Sequence, residues 1–296
     1  MNFRLYDAHN HLQDERLAPP REAILATLQR EGVAGMVVNG SCEADWLEVL
    51  ALARLFRAEV AADASSEGPA GQGTSRQAPS NLRLIPSFGY HPWYVKERSP
   101  DCQQALMRHL DAVPSGVGEV GLDRWVKDYD LEQQQEVFAW QLRLAAERNL
   151  PLSIHCLQAW GPLLDILRAE PRPRCGFLLH SYGGAAELVA PLVELGAYFS
   201  LPGYFAHERK TRQREAFRQV PSERLLIETD APDQLLPPER EQYSLTDPAT
   251  GKAMNHPANL GAVYRFAAEL REEPLEVLAR RVEENFMSLF GALLRE

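Results

Sequence analysis

Six histidine and carboxylate side chains recur along this chain at points where short hydrophobic runs end. They are His9, His11, Glu119, His155, His180 and Asp230. Neutral imidazoles and carboxylates are the groups that borderline and hard divalent cations accept as ligands. Their convergence inside a protein is otherwise difficult to satisfy, because buried polar groups need partners. The set therefore predicts a metal-binding site.

A pair of histidines two residues apart opens this set. On a strand, His9 and His11 would point to the same face, because side chains alternate with a period of two. Alone the pair is weak evidence, since two half-buried polar residues at a strand end explain it as well. The six groups together exceed the four ligands of a tetrahedral site, and a carboxylate can bridge two ions about 3.5–4 Å apart. We expect two divalent metal ions per chain (Mg²⁺, Mn²⁺ or Zn²⁺), with Glu119 as the bridge.

The elements that must position these residues follow a repeating pattern. Eight short β-branched runs alternate with longer segments of helical period, which is typical of βα units around a parallel sheet. The predicted strands cover residues 5–9, 33–39, 82–88, 116–121, 152–155, 176–180, 197–201 and 225–229. The helical patterns include 21–31, 44–61, 131–149 and 185–195, with two more near 260–270 and 275–293. We predict an α/β fold, a (β/α)8 TIM barrel with an additional C-terminal helix, whose active site lies at the carboxyl ends of the strands.

The length of the chain suits one such barrel. With 296 residues and 33.3 kDa, residues 1–296 are predicted to form a single domain. Residues 62–80 contain no aromatic or branched aliphatic side chain, so they cannot bury apolar area against their ordering entropy. We predict a disordered insertion there, between the second helix and the third strand. A domain linker is the alternative, but it would leave only two βα units before it.

Composition and charge exclude several classes of protein. The balance of 45% hydrophobic and 24% charged residues excludes fibrous and wholly disordered chains. The net charge of −10 disfavours sequence-independent binding to duplex DNA, which depends on phosphate neutralisation. The four cysteines at positions 42, 102, 156 and 175 form no C-x-x-C pair, which predicts reduced thiols and a cytoplasmic location. We expect no signal peptide and no membrane span.

Seven short motifs resemble those of the TatD family of metal-dependent hydrolases. They are DAHNHL (7–12), GYHPW (89–93), GEVGLD (118–123), IHC (154–156), LLHSYGG (178–184), ETDAP (228–232) and NHPANL (255–260). They occur in family order over nearly the whole chain, so the set is specific. The resemblance implies a TIM-barrel phosphoesterase, commonly a deoxyribonuclease, with a dinuclear metal site. Carried over residue by residue, one ion would be bound by His9, His11, Glu119 and Asp230, and the other by Glu119, His155 and His180.

The chain departs from the family pattern at positions expected to face the substrate. Ser181 and Tyr182 stand where a cysteine and a phenylalanine are usual, and His256 stands where a glutamate is common. Arg124 follows GLD in place of a tyrosine or phenylalanine, and it is a candidate phosphate clamp through bidentate hydrogen bonds. A salt bridge to Asp128 is the alternative for Arg124.

Three residues are predicted to be catalytic: Glu119, Asp230 and His91. A water held between two ions would be deprotonated near neutral pH and directed at phosphorus. Asp230 is the candidate for orienting that water and receiving its proton, with a helix N-cap as the alternative role. His91 could hydrogen-bond a phosphate oxygen or protonate a leaving alkoxide, or it could merely pack beside Pro92.

Two further features are candidates for substrate contacts. Trp93 offers a face for base stacking, although half-buried anchoring of its loop would also explain it. The segment 207–218 concentrates basic residues in an acidic chain, and Arg209 and Arg212 within it are candidate phosphate contacts. A charged, solvated helix face explains this segment almost as well.

The resemblance implies a 3′–5′ exonuclease that acts on the ends of single-stranded DNA or on another phosphodiester substrate. A site in a barrel mouth favours single strands, because a base-paired helix about 20 Å across would have to melt to enter. The alternative keeps the barrel and metals but hydrolyses a small ester, lactone, amide or aminoacyl-tRNA ester, because a fold does not determine a substrate. A degenerate barrel serving as an interaction subunit is a third reading. We infer no obligate protein partner and no membrane contact.

Overall fold

The computed structural model describes residues 3–65 and 82–294 and contains an eight-stranded parallel sheet in the order β1 to β8. Its strands are β1 (Leu5–Asn10), β2 (Val33–Asn39), β3 (Arg83–Phe88), β4 (Gly116–Asp123), β5 (Leu152–Leu157), β6 (Phe177–Leu179), β7 (Ala197–Pro202) and β8 (Leu225–Glu228). The last strand returns to the first, since Asp230 N donates to His9 O at 3.0 Å and His11 N donates to Ala231 O at 2.8 Å. The predicted (β/α)8 barrel is confirmed.

Helices follow the strands and cover the outside of the barrel. They are α1 (Arg21–Arg30), α2 (Glu43–Ser65), α3 (Cys102–Ala112), α4 (Leu131–Arg148), α5 (Trp160–Ala169), α6 (Val189–Glu194), α7 (Thr211–Gln219), α8 (Leu260–Arg271) and α9 (Leu275–Phe290). Because helices cover the outer face and side chains fill the interior, the strands are buried on both faces. That burial explains their nearly continuous hydrophobic runs.

The helix predicted at 185–195 is shorter in the structure and is preceded by a 3-10 helix, Ala186–Leu188. Pro191 explains the difference. An α-helix starting at residue 186 would need an N–H at Pro191 to bond the carbonyl four residues earlier. Starting at Val189 places Pro191 in the first turn, where N–H groups have no partner within the helix.

The two C-terminal helices cover the seam between β8 and β1. The hydroxyl of Tyr264 on α8 donates to Tyr6 O and accepts from Tyr6 N, both at 3.0 Å. The Tyr6 ring packs against Phe286 of α9 with a centroid distance of 4.8 Å. These contacts stabilise the strand that carries His9 and leads into His11.

Two features of the structure differ from the sequence-based predictions. A short antiparallel hairpin, β9 (Ser244–Thr246) with β10 (Ala253–Asn255), lies between β8 and α8. The second helix extends to Ser65, so it includes the first residues of the insertion expected at 62–80. The rest of that expected insertion lies outside the described residues. Among the described helices, none is both long and apolar enough to cross a membrane.

Candidate metal centre

His9, in the first strand, and His11, just after it, converge on one point at the carboxyl end of the barrel. His9 Nδ1 lies 2.7 Å from Ser153 Oγ, and His11 Nδ1 lies 2.8 Å from the backbone oxygen of Asn39. Each Nδ1 is therefore engaged by the surrounding barrel. The two Nε2 atoms point to the same place and lie 3.3 Å apart.

Glu119 lies in the middle of β4 and not at its end, which corrects the expected placement. Val117 pairs with Leu152 of β5, and Val120 pairs with Ile154. Between these two pairs, β4 advances by three residues while β5 advances by two, so β4 contains one extra residue. Such a bulge redirects a side chain. It turns the Glu119 carboxylate toward the histidines.

Two glycines of β4 are required by close packing around this carboxylate. A Cβ atom on Gly118 would lie 2.8 Å from both Ser153 Cβ and Ser87 Oγ. Gly121 has a φ of +136°, and a Cβ there would lie 1.9 Å from the backbone oxygen of His155. No other residue type fits at Gly121, since side chains rarely adopt that φ. This close approach positions β5, and with it His155.

The first group of site atoms surrounds one oxygen of Glu119. Glu119 Oε2 lies 3.4 Å from His9 Nε2 and 3.3 Å from His11 Nε2. Asp230 Oδ1 lies 3.7 Å and 3.5 Å from the same two nitrogens. Each of the two imidazole nitrogens therefore lies less than 4 Å from both carboxylate oxygens.

The second group surrounds the other oxygen of the same carboxylate. Glu119 Oε1 lies 3.0 Å from His155 Nδ1 and 2.8 Å from His180 Nε2. Those two nitrogens lie 3.2 Å apart. The structure therefore brings all six sequence-predicted ligand residues together.

These separations fit metal binding. Ligands at about 2.0–2.2 Å from a tetrahedral ion are about 3.3–3.6 Å apart, which is close to the spacing in the first group. His9, His11 and Glu119 form one set of side chains that could hold an ion, and His91, Glu119 and His155 form another. His180 also belongs to such a set, together with His9 and Glu228.

The charge pattern of the cluster also favours bound cations. Burial raises the pKa of Glu119, but the imidazoles of His180 and His91 outweigh it and hold that pKa well below its usual range. Burial lowers the pKa of His180, but the Glu119 carboxylate raises it well above the usual value. A carboxylate in this position stays charged only with positive charge beside it, supplied by protons or by metal ions.

His91 contacts the same carboxylate from the loop after β3. Its Nε2 lies 3.4 Å from Glu119 Oε1, and its Nδ1 accepts a hydrogen bond from Trp93 N at 3.2 Å. Burial lowers the pKa of His91 to about 4. A neutral imidazole that accepts at Nδ1 carries its proton on Nε2. His91 therefore presents an N–H donor to the centre and also caps the 3-10 helix Pro92–Tyr94.

Two acidic residues that the sequence reasoning did not single out contact or lie near the candidate ligand histidines. Asp123 Oδ2 lies 3.0 Å from His155 Nε2. Glu228 Oε1 lies 3.7 Å from His180 Nδ1, and it accepts a hydrogen bond from Ser181 N at 2.7 Å. Both acids are buried in otherwise hydrophobic strands. An acidic residue within a hydrophobic run is unusual, because charged side chains are almost never fully buried unless they are paired. That pattern is the sequence signal that could have identified both acids.

Asp230 is oriented by its neighbours beyond the end of β8. Gln234 Nε2 donates to Asp230 Oδ2 and to Ser181 Oγ, both at 2.6 Å. Ser181, Asp230 and Gln234 have φ values of 45°, 53° and 50°. Left-handed backbone at non-glycine residues often clusters at functional sites. The Asp230 carboxylate thus faces His11 and Gln234 and does not serve as a helix cap in the described hydrogen bonds.

Trp93 and Arg124, two of the predicted substrate residues, make different contacts. Trp93 packs against His91 with a ring-centroid distance of 4.9 Å, while half of its side chain stays exposed. Arg124 lies over the ring of Tyr129 at 5.8 Å. Its alternative ion pair with Asp128 is not among the salt bridges formed by residues 3–65 and 82–294.

The basic segment 207–218 divides into two parts. Arg209 donates to Tyr204 OH at 2.7 Å, and both Arg209 and Arg212 are exposed near the start of α7. Arg214 instead donates to backbone oxygens, including Phe205 O at 2.9 Å. A helix that follows a barrel strand begins at the carboxyl rim. The first part of the segment therefore lies on the side of the site with exposed guanidinium groups, whereas Arg214 is engaged by the backbone of the loop after β7.

Comparisons with known proteins identify the family of this chain. A sequence model of the family described as TatD related DNase matches residues 73–291, well over half of the chain. The uncharacterized metal-dependent hydrolase YjjV of Escherichia coli K12 is 27% identical over 294 residues, which cover 98% of this chain and 99% of that protein. The 3′–5′ ssDNA/RNA exonuclease TatD of Pantoea ananatis is 28% identical over 294 residues, covering 98% of this chain and 100% of that protein.

A solved structure matches over the same length. The crystal structure of YjjV, a TatD homolog from Escherichia coli K12, has a TM-score of 0.80 at 26% sequence identity. The match covers 98% of this chain and 99% of that chain. The protein belongs to the TatD family and is a metal-dependent hydrolase.

Proposed function

We propose that this enzyme hydrolyses phosphodiester bonds at the 3′ ends of single-stranded DNA, using two divalent metal ions. The observation that carries the proposal is the position of the Glu119 carboxylate. Its Oε2 atom faces His9 and His11, while its Oε1 atom faces His155 and His180. One carboxylate between two sets of imidazoles is the arrangement expected of a bridged pair of ions.

The six residues divide between the two ions as their distances suggest. His9, His11 and Asp230 would bind the first, and His155 and His180 the second, with Glu119 shared. Bound there, the ions would supply an acidified water and neutralise charge that develops on the phosphoryl oxygens. The donor set of imidazoles and carboxylates accepts Mg²⁺, Mn²⁺ and Zn²⁺.

Two side chains are proposed to act on protons and hydrogen bonds during the reaction. Asp230 would orient the attacking water and receive its proton, since Gln234 fixes its Oδ2 atom and leaves Oδ1 facing the cluster. His91 would donate its Nε2 proton in a hydrogen bond to a phosphoryl oxygen. The hydrogen bond from Trp93 N to His91 Nδ1 supports this role, because it selects the tautomer with a proton on Nε2.

Substrate binding is proposed to involve residues around the opening of the barrel. Trp93 presents a half-exposed indole beside the cluster. Arg124, Arg209 and Arg212 are exposed and would contact the phosphate backbone. The net charge of −10 supports single-stranded ends over duplex DNA, because the surface as a whole repels polyanions. Similarity to the 3′–5′ ssDNA/RNA exonuclease TatD of Pantoea ananatis supports the 3′–5′ direction.

Two broader parts of the proposal concern the whole chain. We propose that the enzyme works in the cytoplasm, and the four cysteines support this because all are free thiols. Fractionation that finds the enzyme in an oxidising compartment would contradict it.

We also propose that residues 1–296 act as a single catalytic domain, so that deleting residues 66–80 leaves turnover unchanged. A large loss of turnover in a folded deletion variant would contradict that.

The proposal is tested with 3′-labelled and 5′-labelled single-stranded DNA and metal-reconstituted enzyme. Stepwise shortening from the 3′ end is expected. Glu119→Gln and His155→Ala should each reduce turnover by at least about a hundredfold, which is the upper range seen for residues that only support a metal ligand. Glu194→Gln is the matched control, because Glu194 is exposed at the end of α6.

The alternative substrate classes are separate outcomes of this experiment. If the enzyme binds metal but cuts neither labelled strand, the DNA proposal is wrong. Turnover should then be measured on small esters, lactones, amides and aminoacyl-tRNA esters. If it binds no metal in the presence of Mn²⁺ or Zn²⁺, the dinuclear site itself is wrong.

A further inference from the structure

Exposed apolar side chains are concentrated beside the metal centre. Most large hydrophobic residues of the described chain are buried, and the exposed ones fall into two groups. Leu47, Leu55 and Met287 lie on outer helices, whereas Trp93, Trp125, Tyr129 and Leu157 follow or end strands β3, β4 and β5. We call the second group the aromatic wall. Exposed apolar side chains grouped at one end of a barrel mark a candidate binding site.

One carboxylate connects the aromatic wall to the metal centre. Asp123 Oδ2 accepts a hydrogen bond from Trp93 Nε1 at 2.7 Å, and Asp123 Oδ1 accepts one from Trp125 N at 2.6 Å. The same Oδ2 atom lies 3.0 Å from the ligand histidine His155. Both tryptophans are thus attached to the group that orients a proposed metal ligand.

Further contacts join the loops that carry the wall. Lys96 Nζ donates to the backbone oxygen of Asp128 at 2.8 Å, which ties the loop after β3 to the loop after β4. Arg124 N donates to Leu157 O at 3.0 Å, which ties the second loop to the end of β5. The Arg124 guanidinium lies over the Tyr129 ring. The wall therefore contains flat apolar faces with a cation among them.

We propose that the aromatic wall is a subsite for an unpaired nucleobase next to the scissile phosphodiester, with Trp125 as its main specificity residue. This inference rests on the proposed nuclease function and adds the part of the substrate that is recognised. Trp125 is 69% exposed, so its indole offers a large free face. Stacking on an aromatic ring requires an accessible base face and tolerates every base. A base inside a duplex is stacked on its neighbours, so the subsite selects single-stranded ends.

The charge beside the rings suits the same ligand. Arg124 is exposed and stacks on Tyr129, and a guanidinium can also hydrogen-bond a phosphate oxygen. A nucleotide supplies both groups at once, with a flat ring and a phosphate a few bonds apart. A purely apolar ligand would not use the charge of Arg124, and a free phosphate would not use the flat face of Trp125.

The test compares two single-stranded oligothymidylates of equal length. One is unmodified, and the other carries abasic tetrahydrofuran residues at its 3′-terminal positions. Trp125→Ala should lower kcat/KM on the unmodified strand by about tenfold, within the range for loss of one base–aromatic stack. It should leave kcat/KM on the abasic strand within about twofold of the wild-type value. Trp125→Phe, which keeps a flat face, should recover most of the loss.

Leu47→Ala is the matched control, since Leu47 is also 69% exposed but lies on α2 outside the barrel. It should change neither rate. The proposal is overturned if Trp125→Ala lowers both rates equally, because the residue would then have only a structural role. It is also overturned if the wild type is a concentration-dependent dimer that Trp125→Ala dissociates, because a second copy would then cover the wall.

A binding measurement separates this inference from the proposed catalytic activity. Fluorescence anisotropy of labelled oligothymidylate with chelator-treated enzyme needs no turnover. Tighter binding of the unmodified strand than of the abasic strand, lost in Trp125→Ala, supports the subsite even if no strand is cut. Equal binding of both strands by the wild type overturns the subsite, even if both strands are cut.

Discussion

The Asp123 carboxylate lies 3.0 Å from His155 Nε2, across the imidazole ring from the contact with Glu119. A hydrogen bond to Asp123 places the His155 proton on Nε2 and leaves the Nδ1 lone pair facing Glu119 Oε1. Burial raises the pKa of Asp123, but hydrogen bonds from His155 and Trp93 outweigh it and lower the pKa to about 2. Asp123 is therefore ionised at neutral pH and selects the tautomer of His155 that can bind a metal.

Replacement of Asp123 tests this relationship. Asp123→Asn keeps the shape of the side chain but removes its charge, so His155 loses the anion that orients it. We expect metal affinity or turnover to fall by about 10–100-fold, as for other outer-shell partners of metal ligands. Isothermal titration with Mn²⁺ or Zn²⁺ and turnover on a phosphodiester measure the two effects.

Two further variants identify the cause of that loss. Asp165→Asn removes an exposed carboxylate from α5 and should have no effect. Trp93→Phe removes the indole N–H that also binds Asp123. If Trp93→Phe reproduces the whole loss of metal affinity, Asp123 acts through the tryptophan and not through His155.

Gly121 is predicted to be irreplaceable because of its distance from β5. Gly121→Ala would place a methyl group within 1.9 Å of the His155 backbone oxygen, at a φ of +136°. We expect a loss of at least about 3 kcal/mol in the free energy of unfolding, since backbone strain alone costs about 1–3 kcal/mol. Urea denaturation measures it, and metal content should fall in parallel as His155 moves.

Gly161→Ala is the control for this substitution. Nothing lies within 4 Å of a Cβ at Gly161, which is in the first turn of α5. The change should be neutral or slightly stabilising, because alanine favours helix more than glycine does. A similar loss of stability in both variants would show that the close approach of β4 to β5 is not the cause.

The barrel could be predicted from the sequence because its strands are buried on both faces and separated by helical periods. The grouping of the six candidate ligands could be predicted because histidines and acids stand out in hydrophobic runs. The position of Glu119 within β4 could not, because a bulge depends on pairing with β5, which no local pattern records. Another contact of the site is equally distant in sequence, because Ser153, the partner of His9 Nδ1, is 144 residues away from His9.

The outer contacts were harder to predict for the same reason. Asp123 lies inside the GEVGLD motif, yet its role depends on a histidine 32 residues further along the chain. The basic segment after β7 looked uniform in sequence. The structure separates Arg209, on the rim, from Arg214, whose guanidinium binds backbone oxygens of its own loop. Composition alone could not make this distinction.

Removal of metal should destabilise the fold. The ligands come from strands β1, β4 and β5 and from the ends of β6 and β8, so bound ions would cross-link the carboxyl end of the barrel. A ligand at 100 to 1,000 times its Kd stabilises a folded protein by about 3–4 kcal/mol. We expect a chelator to lower Tm by several degrees and Mn²⁺ or Zn²⁺ to restore it, as measured by differential scanning fluorimetry. Glu119→Gln should respond much less to the chelator, and an equal response would show that the ions act elsewhere.

We expect Glu43 to make the stability of the fold depend on pH at a place away from the metal centre. Glu43, at the start of α2, accepts hydrogen bonds from Tyr90 OH at 2.7 Å and from Ser99 N and Oγ, both at 2.9 Å. Burial raises the pKa of Glu43, but these hydrogen bonds outweigh it and lower the pKa below its usual value. The folded state therefore binds this proton less tightly than the unfolded state does. The resulting stability is present above the ordinary pKa of a glutamate and is lost as the pH falls through the lower, folded value.

Replacement of Glu43 should therefore matter more at neutral pH than in acid. Glu43→Ala is expected to reduce the free energy of unfolding by about 2 kcal/mol at pH 7, because hydrogen bonds to a charged group are lost. The difference from the wild type should shrink as the pH falls below the ordinary pKa of a glutamate, about 4.3, because the unfolded state then takes up a proton that the folded carboxylate binds less tightly. Glu48→Ala is the control, since the Glu48 side chain is 46% exposed in its pair with Arg21 and should contribute less than about 1 kcal/mol. Urea denaturation from pH 3.5 to 8 measures both variants, and a difference for Glu43→Ala that does not change with pH would mean that the side chain stabilises the fold by packing and not by its charge.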